Sequence, residues 1–311
     1  MPLTRSRPRL YYERHGSGEP VLCLTGYGLS AAIFEPVLDL YSSEWEAVLY
    51  DHRGAGRSEA PPWLASMHQL AADAVRLLDE LEIEAAHVYG VSFGSMVAQE
   101  VAIRFPDRVR GLVLGGATCG GPRAYQPDAR GLGGLGARML VEAVGSRGPG
   151  LLGPALLSEQ FRRSEPERTR ELLRPFYAHR ARLRGINSHW WASVYHDTYS
   201  RLPRITAPTL VMHGELDAMS PLANAELLAR RIPDAELAVL AGCGHAYPLE
   251  APERSHAIFA GWIERRSPIA PGPPPARRSR LTEPLLRPLG LHAGALRTGF
   301  SLAARLAGRG R

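Results

Sequence analysis

Apolar positions recur along this chain in two alternating rhythms. Val21-Leu22-Cys23-Leu24-Thr25 is an almost unbroken apolar run, and so is Ala47-Val48-Leu49-Tyr50. Short runs of this kind, bounded by turn residues, predict strands buried on both faces. Ala85–Tyr89, Val109–Leu114, Thr209–Met212 and Leu237–Leu240 continue the series, and the more polar Arg9–His15 reads as an edge strand. Between the strands the period changes. Met67, Leu70, Ala71, Ala74, Leu77, Leu78 and Leu81 fall on one face of a helix over Ser66–Leu81, opened by a Ser66/Gln69 capping box. Further helices are expected over Ala31–Tyr41, Met96–Phe105, Asn224–Ile232 and Pro252–Arg265. Strands alternating with helices predict an α/β fold with a mostly parallel, doubly wound sheet. Reactive groups then belong in loops at the carboxyl ends of the strands.

After Thr118 the alternation stops. Gly115–Gly153 is rich in Gly with weak periodicity. Glu159–Tyr199 is helix-like and carries Phe161, Phe176, Tyr177, Trp190, Trp191, Tyr195 and Tyr199. Pro203–Pro208 closes this stretch before the strand pattern returns. The expected organisation is a core from 1–118 and 204–267, an inserted helical cap over 119–203, and a tail over 268–311. The tail begins with a proline-rich linker, Pro268–Pro275. Beyond it Leu291, Ala295, Leu302 and Leu306 could share a helix face, but Gly294 and Gly299 interrupt it. A disordered tail or a peripheral basic helix is expected, the latter compatible with weak contact to an anionic membrane surface.

Composition narrows the chemistry. Hydrophobic residues make up 45% and charged residues 22%, ordinary values for a globular protein. Every one of the 37 basic residues is Arg, which removes lysine Schiff bases and P-loop lysines. From Ser267 onward there are eight Arg against one acid, so the net charge of +6 belongs to the tail. The body is close to neutral and does not read as a nucleic-acid binder. Cys23, Cys119 and Cys243 are too few and too scattered for a disulfide framework. With no apolar leader after the charged N-terminus, a cytoplasmic location is expected.

The chemistry converges on one motif. Gly90-Val91-Ser92-Phe93-Gly94 spells Gly-x-Ser-x-Gly between a predicted strand and a predicted helix, the context of a nucleophile elbow. A serine nucleophile needs a base, and the base needs an orienting acid. Asp217 lies in the loop after the Leu210–Met212 strand, with Glu215 as the other acid in reach. His245 lies in a glycine-flanked loop after the next strand. Ser92, Asp217 and His245 thus occur in the Ser–acid–His order of one fold class. Cys119 and Cys243 lie near this expected site, but neither sits in an elbow. His87, His189 and His196 show no metal-ligand spacing, so neither a metal nor a cofactor is expected.

These segments resemble the α/β-hydrolase superfamily, in the branch with a helical cap inserted after the sixth strand. The matching stretches are Thr25-Gly26-Tyr27-Gly28, Asp51–Ser58, Gly90–Gly94, His213–Asp217 and Gly244-His245 with Pro248-Leu249-Glu250, spread over Val21–Trp262. Within the branch, enol-lactone hydrolases and small carboxylesterases are the most similar. The resemblance implies a catalytic Ser92–His245–Asp217 triad, with Asp217 preferred over Glu215 by position. It also implies an oxyanion hole from the backbone N–H groups of Tyr27 and Phe93, a loop-supporting His213 and a structural turn at Asp51–Ser58. Two departures stand out: Thr25 replaces the frequent His before the first loop glycine, and Ser95 replaces the frequent Gly after the elbow. Trp190 and Trp191 are candidate substrate contacts, or alternatively part of the cap's own core. The expected activity is hydrolysis of a small-molecule ester, lactone or thioester. Acyl transfer or perhydrolysis on the same triad, and ligand binding without turnover, remain alternatives.

Overall fold

Among the described residues the alternation becomes one seven-stranded sheet in the computed structural model. Its strands are β1 (Tyr12–His15), β2 (Pro20–Leu24), β3 (Glu46–Tyr50), β4 (Ala86–Val91), β5 (Val109–Gly115), β6 (Thr209–Gly214) and β7 (Ala235–Leu240). They lie in the order β1-β3-β2-β4-β5-β6-β7. Only β1 runs antiparallel, against β3, and the other pairings are parallel. The structure describes residues 2–60, 63–129, 131–133, 152–177, 179 and 183–266. The expected disorder or basic helix of the 268–311 tail falls outside them. Met1–Pro268 forms one compact unit.

Strand residues alternate between two apolar layers because successive side chains point to opposite faces. Leu22, Val48, Val88, Leu112, Leu114 and Val211 face the layer under the Met67–Glu80, Phe93–Arg104 and Leu222–Arg231 helices. Cys23, Leu49, Tyr89, Val113 and Met212 face the other layer, with Phe34, Tyr41, Phe259 and Trp262. This two-sided burial is why the strands read as continuous apolar runs. The capping box at Ser66 and Gln69 forms in both directions.

Three elements differ from expectation. Ala31–Tyr41 is a 3-10 helix over Ala31–Val37, followed by a short α-helix over Leu38–Ser42. Pro36 lies inside the 3-10 segment and cannot donate a backbone hydrogen bond. The helix-like Glu159–Tyr199 stretch splits into Glu159–Ser164, Pro166–Leu173, a 3-10 turn over Arg174–Tyr177, and Leu183–Val194. Here Pro166 opens the second piece. The edge strand begins at Tyr12, and upstream of it only a single antiparallel bridge pairs Leu3 with Tyr11. The helical stretch after Thr118 follows the fifth described strand, as in the strand series read from the sequence. Among the described residues no helix is long and apolar enough to cross a membrane.

The connections leave β2 and β4 toward opposite sides of the sheet, because β3 lies outside β2 and β5 lies outside β4. This reversal opens a crevice at the carboxyl ends of the two central strands. The crevice is closed at its base by glycine contacts. A Cβ on Gly94 would lie 2.1 Å from the Leu24 carbonyl oxygen, and one on Gly90 would lie 2.3 Å from the Gly94 carbonyl oxygen. In an ordinary helix Gly→Ala gains about 1 kcal/mol. Here the methyl meets strand backbone, so Gly94→Ala should cost roughly 3 kcal/mol or more. Urea unfolding of the variant checks this, and a stability equal to or above wild type would contradict the packing.

Candidate active site

Ser92 sits between β4 and the Phe93–Arg104 helix with φ 56° and ψ −119°. A non-glycine residue holds such a conformation only when its surroundings over-determine it. Its N–H donates to the Gly115 carbonyl at 2.7 Å. Its own carbonyl accepts from the Ser95 N–H at 2.9 Å and the Ser95 hydroxyl at 2.5 Å. Ser95 therefore adds a bond at the elbow that a glycine there could not make. The Ser92 hydroxyl does not cap the helix.

His245 follows β7, and its Nδ1 lies 2.7 Å from Asp217 Oδ2 in the loop after β6. An ionised carboxylate only accepts, so Nδ1 carries a proton, and in the neutral ring the lone pair falls on Nε2. Asp217 is fixed from its other side: Oδ1 accepts the Met219 and Ser220 N–H groups, each at 2.8 Å. His213 Nε2 lies 3.3 Å from Asp217 Oδ2 and donates to the Ser220 carbonyl at 2.7 Å. Burial alone would raise the Asp217 pKa. The His245 and His213 rings and the Ser220 N–H outweigh burial and hold it below the usual carboxylate value. Glu215 is placed elsewhere, exposed, and accepts from the Gly242 N–H at 2.8 Å.

Two groups to which the sequence reading gave no role complete the geometry. Gly116, at φ 53°, leaves room for the imidazole: a Cβ there would lie 2.9 Å from His245 Cε1 and 3.5 Å from Asp217 Oδ2. Glu250 ties down the histidine loop, accepting from the Gly244 N–H at 2.7 Å and the Ser158 hydroxyl at 2.6 Å. Asp51 turns inward and accepts from the Ala31 and Arg57 N–H groups, which gives the Asp51–Ser58 loop a structural task.

Two cavities meet at this point, and Tyr27, Ser92, Met219 and His245 line both. The smaller, 110 Å³, is walled by apolar groups including Leu29, Ile33, Leu156 and Phe176. The larger, 390 Å³, includes Thr118, Trp190, Ser193 and Asn224. Phe93 and Tyr27, whose N–H groups were expected at an oxyanion hole, lie beside Ser92 with their rings edge to face at 6.3 Å. Of the two tryptophans, Trp190 reaches the larger cavity. Trp191 stacks instead on the exposed Tyr195, with ring centroids 5.8 Å apart.

All three cysteines are buried and unpaired. Burial pushes the Cys23 thiol up to about 12 and Cys119 up to about 11, away from the thiolate a nucleophile would need. Among the described residues no cluster of His, Cys, Asp or Glu is placed to hold a metal.

Burial also lowers three histidines, His52 to about 3 and His189 and His196 to about 4. The unfolded chain takes up a proton at each near pH 6.5, while the folded chain does not until about pH 4. Stability therefore falls as pH drops through that window, by on the order of 2 kcal/mol per group at pH 5. Urea unfolding at pH 7.5 and pH 5.0 should show this loss, and His196→Leu should shrink it by about one group's share. An unchanged difference would contradict the buried neutral His196.

Comparison with known proteins agrees with this fold. A family model described as the alpha/beta hydrolase fold matches residues 19–252. A protein provisionally named carbamate hydrolase RutD, from Azorhizobium caulinodans, is 31% identical over 257 residues, covering 81% of this chain and 94% of its own. Among solved structures, a thermophilic esterase from Thermogutta terrifontis superposes with a TM-score of 0.70 at 28% identity. It covers 85% of this chain and 97% of the esterase. An enol-lactonase from Burkholderia xenovorans LB400 superposes with a TM-score of 0.73 over 85% of this chain and 100% of its own, at 22% identity, which speaks for the fold alone. With the family model spanning most of the sheet and the elbow–acid–histidine order set out in space, the chain belongs to the α/β-hydrolase fold family of enzymes.

Proposed function

We propose that the chain is a serine hydrolase that cleaves a carboxylic ester, lactone or thioester at Ser92. One observation carries this reading. Ser92, on its strained turn, lines the same two cavities as His245, whose Nδ1 proton is already committed to Asp217. His245 Nε2 is then the free base of the pair.

In the proposed sequence the Ser92 hydroxyl attacks the substrate carbonyl carbon as its proton passes to His245 Nε2. The tetrahedral oxyanion is met by the Tyr27 and Phe93 N–H groups, donors of a kind that contribute about 3–4 kcal/mol each. The Phe93 donor also sits at the positive end of a helix dipole. Collapse breaks the bond to the leaving oxygen or sulfur, which takes the proton back from His245. Water then attacks the acyl-serine as its proton passes to His245, and collapse breaks the acyl–Ser92 bond, releasing the acid while Ser92 takes the proton back. Asp217 stays ionised throughout and stabilises the imidazolium, and its lowered pKa suits that task. These steps use only the chain's own residues and water.

The unequal cavities suggest how the substrate sits. A dry 150 Å³ cavity accommodates a benzene ring, so the 110 Å³ lobe suits a short aliphatic chain better. Its walls are apolar and Ser92 lines it, so we assign it the acyl substituent. The wider lobe, with Thr118, Ser193 and Asn224, takes the leaving group and gives water its approach. The names of the relatives, a carbamate hydrolase and an esterase, fit the same carbonyl chemistry.

Initial rates on p-nitrophenyl esters of increasing acyl length test the reading. Acetyl to hexanoyl esters should turn over at least about tenfold faster than dodecanoyl esters, as expected of a small lobe. Ser92→Ala and Asp217→Asn should each lower kcat by about 10³-fold or more with folding intact. Turnover preserved in Ser92→Ala would end the nucleophile assignment, and a flat chain-length profile would end the acyl-lobe assignment.

A further inference from the structure

The Leu183–Val194 helix of the inserted segment is seated on the crevice by backbone contact. A Cβ on Gly185 would lie 1.7 Å from the Gly54 carbonyl oxygen, so only glycine lets the two main chains meet. The same helix is pinned at each step of its buried face. The Tyr27 hydroxyl donates to the Ile186 carbonyl at 3.1 Å, and the Ala65 N–H donates to the Ser188 hydroxyl at 2.7 Å. His189 follows on this face and is fully buried. Its Nδ1 accepts from the Gly28 N–H at 3.3 Å, and its Nε2 donates to the Arg53 carbonyl at 2.9 Å. The ring stacks on Phe93 at 4.7 Å and 17°, and meets Tyr27 edge to face at 6.4 Å.

We infer that His189 is a positioning residue: it bridges the loop after β2 and the turn after β3 and sets the peptide that follows Tyr27 against Phe93. The inference rests on the reading that the Tyr27 and Phe93 N–H groups receive the oxyanion. The bond to the Gly28 N–H fixes the 27–28 peptide, which limits the rotation of Tyr27. The stack fixes Phe93 from the same side chain. One nitrogen must accept while the other donates, which only the neutral Nε2–H tautomer does. Burial, which lowers the ring's pKa to about 4, keeps it in that form near neutral pH. The oxyanion site is then complete only with the inserted helix seated.

Three variants and one inhibitor test this. His189→Phe keeps the ring on Phe93 but loses both hydrogen bonds. His189→Gln restores an acceptor and a donor. Gly185→Ala wedges the helix from the Gly54 turn without touching His189. With p-nitrophenyl acetate, His189→Phe and Gly185→Ala should lose about ten- to a hundredfold in kcat with KM within about threefold, as small misplacements of a catalytic donor do. The Gln variant should return to within about threefold of wild type. A trifluoromethyl ketone, which forms the oxyanion on Ser92, should bind the Phe variant more weakly by the same factor as kcat falls. Should a variant fail to fold, ¹⁵N spectra of histidine-labelled wild type decide: the Nε2–H tautomer at His189 supports the clamp, and Nδ1–H overturns it. Unchanged kcat in His189→Phe, or a loss confined to KM, also overturns it. A wild type that turns over no ester and forms no ketone adduct overturns the hydrolytic reading itself, and the clamp with it.

Discussion

The backbone of Ser92 is the constraint on which the rest of the structure depends. At φ 56° and ψ −119° it occupies a region that side chains avoid. It stays there because Gly115 and Ser95 hold both of its peptide groups, and because the chain around it has no slack. Gly90 packs on Gly94, Gly94 packs on Leu24, and a side chain at either position would strike backbone. The central strands are therefore spaced by the needs of one turn. The strain in the turn is offset by the two apolar layers that the strands share, and the turn stands at the switch-point crevice.

Around that turn, groups with no sequence proximity are brought to a common point by strand ends. β2 delivers Tyr27, β4 delivers Ser92, β5 delivers Gly116, β6 delivers Asp217 and β7 delivers His245. Each arrives on a loop that is itself tied down: Asp217 by two backbone N–H groups, the His245 loop by Glu250, the Tyr27 loop by the inserted helix. On the proposed function, pre-set donors and a pre-oriented base would cost little reorganisation when charge develops. The segment between β5 and β6 thus supplies walls to the cavities and also support to the loops at the strand ends.

The sheet was legible because burial on both faces writes itself as unbroken apolar runs, and the elbow because its glycines are forced by contact. The residues around His245 were legible as an order but not as a geometry. Asp217 and Glu215 lie two positions apart, and only the fold turns one to the imidazole and the other to Gly242. Gly116 is one glycine among several after β5, and nothing in the sequence marks it as the residue that makes room for a ring. Pro36 was visible, yet its effect on the helix pitch needed the neighbouring packing. His189 was the least legible, since its partners Gly28 and Arg53 lie 161 and 136 positions away. Likewise Trp190 and Trp191 are adjacent in sequence, but on a helix adjacent residues face different ways.

The most direct measurement is the intact mass of the protein after exposure to a fluorophosphonate probe, for wild type and Ser92→Ala. The account predicts a single adduct on wild type and none on the variant, because only a serine with a poised base reacts at phosphorus. A folded wild type that gains no adduct, or a Ser92→Ala protein that still gains one, would contradict the assignment of Ser92 as the activated nucleophile.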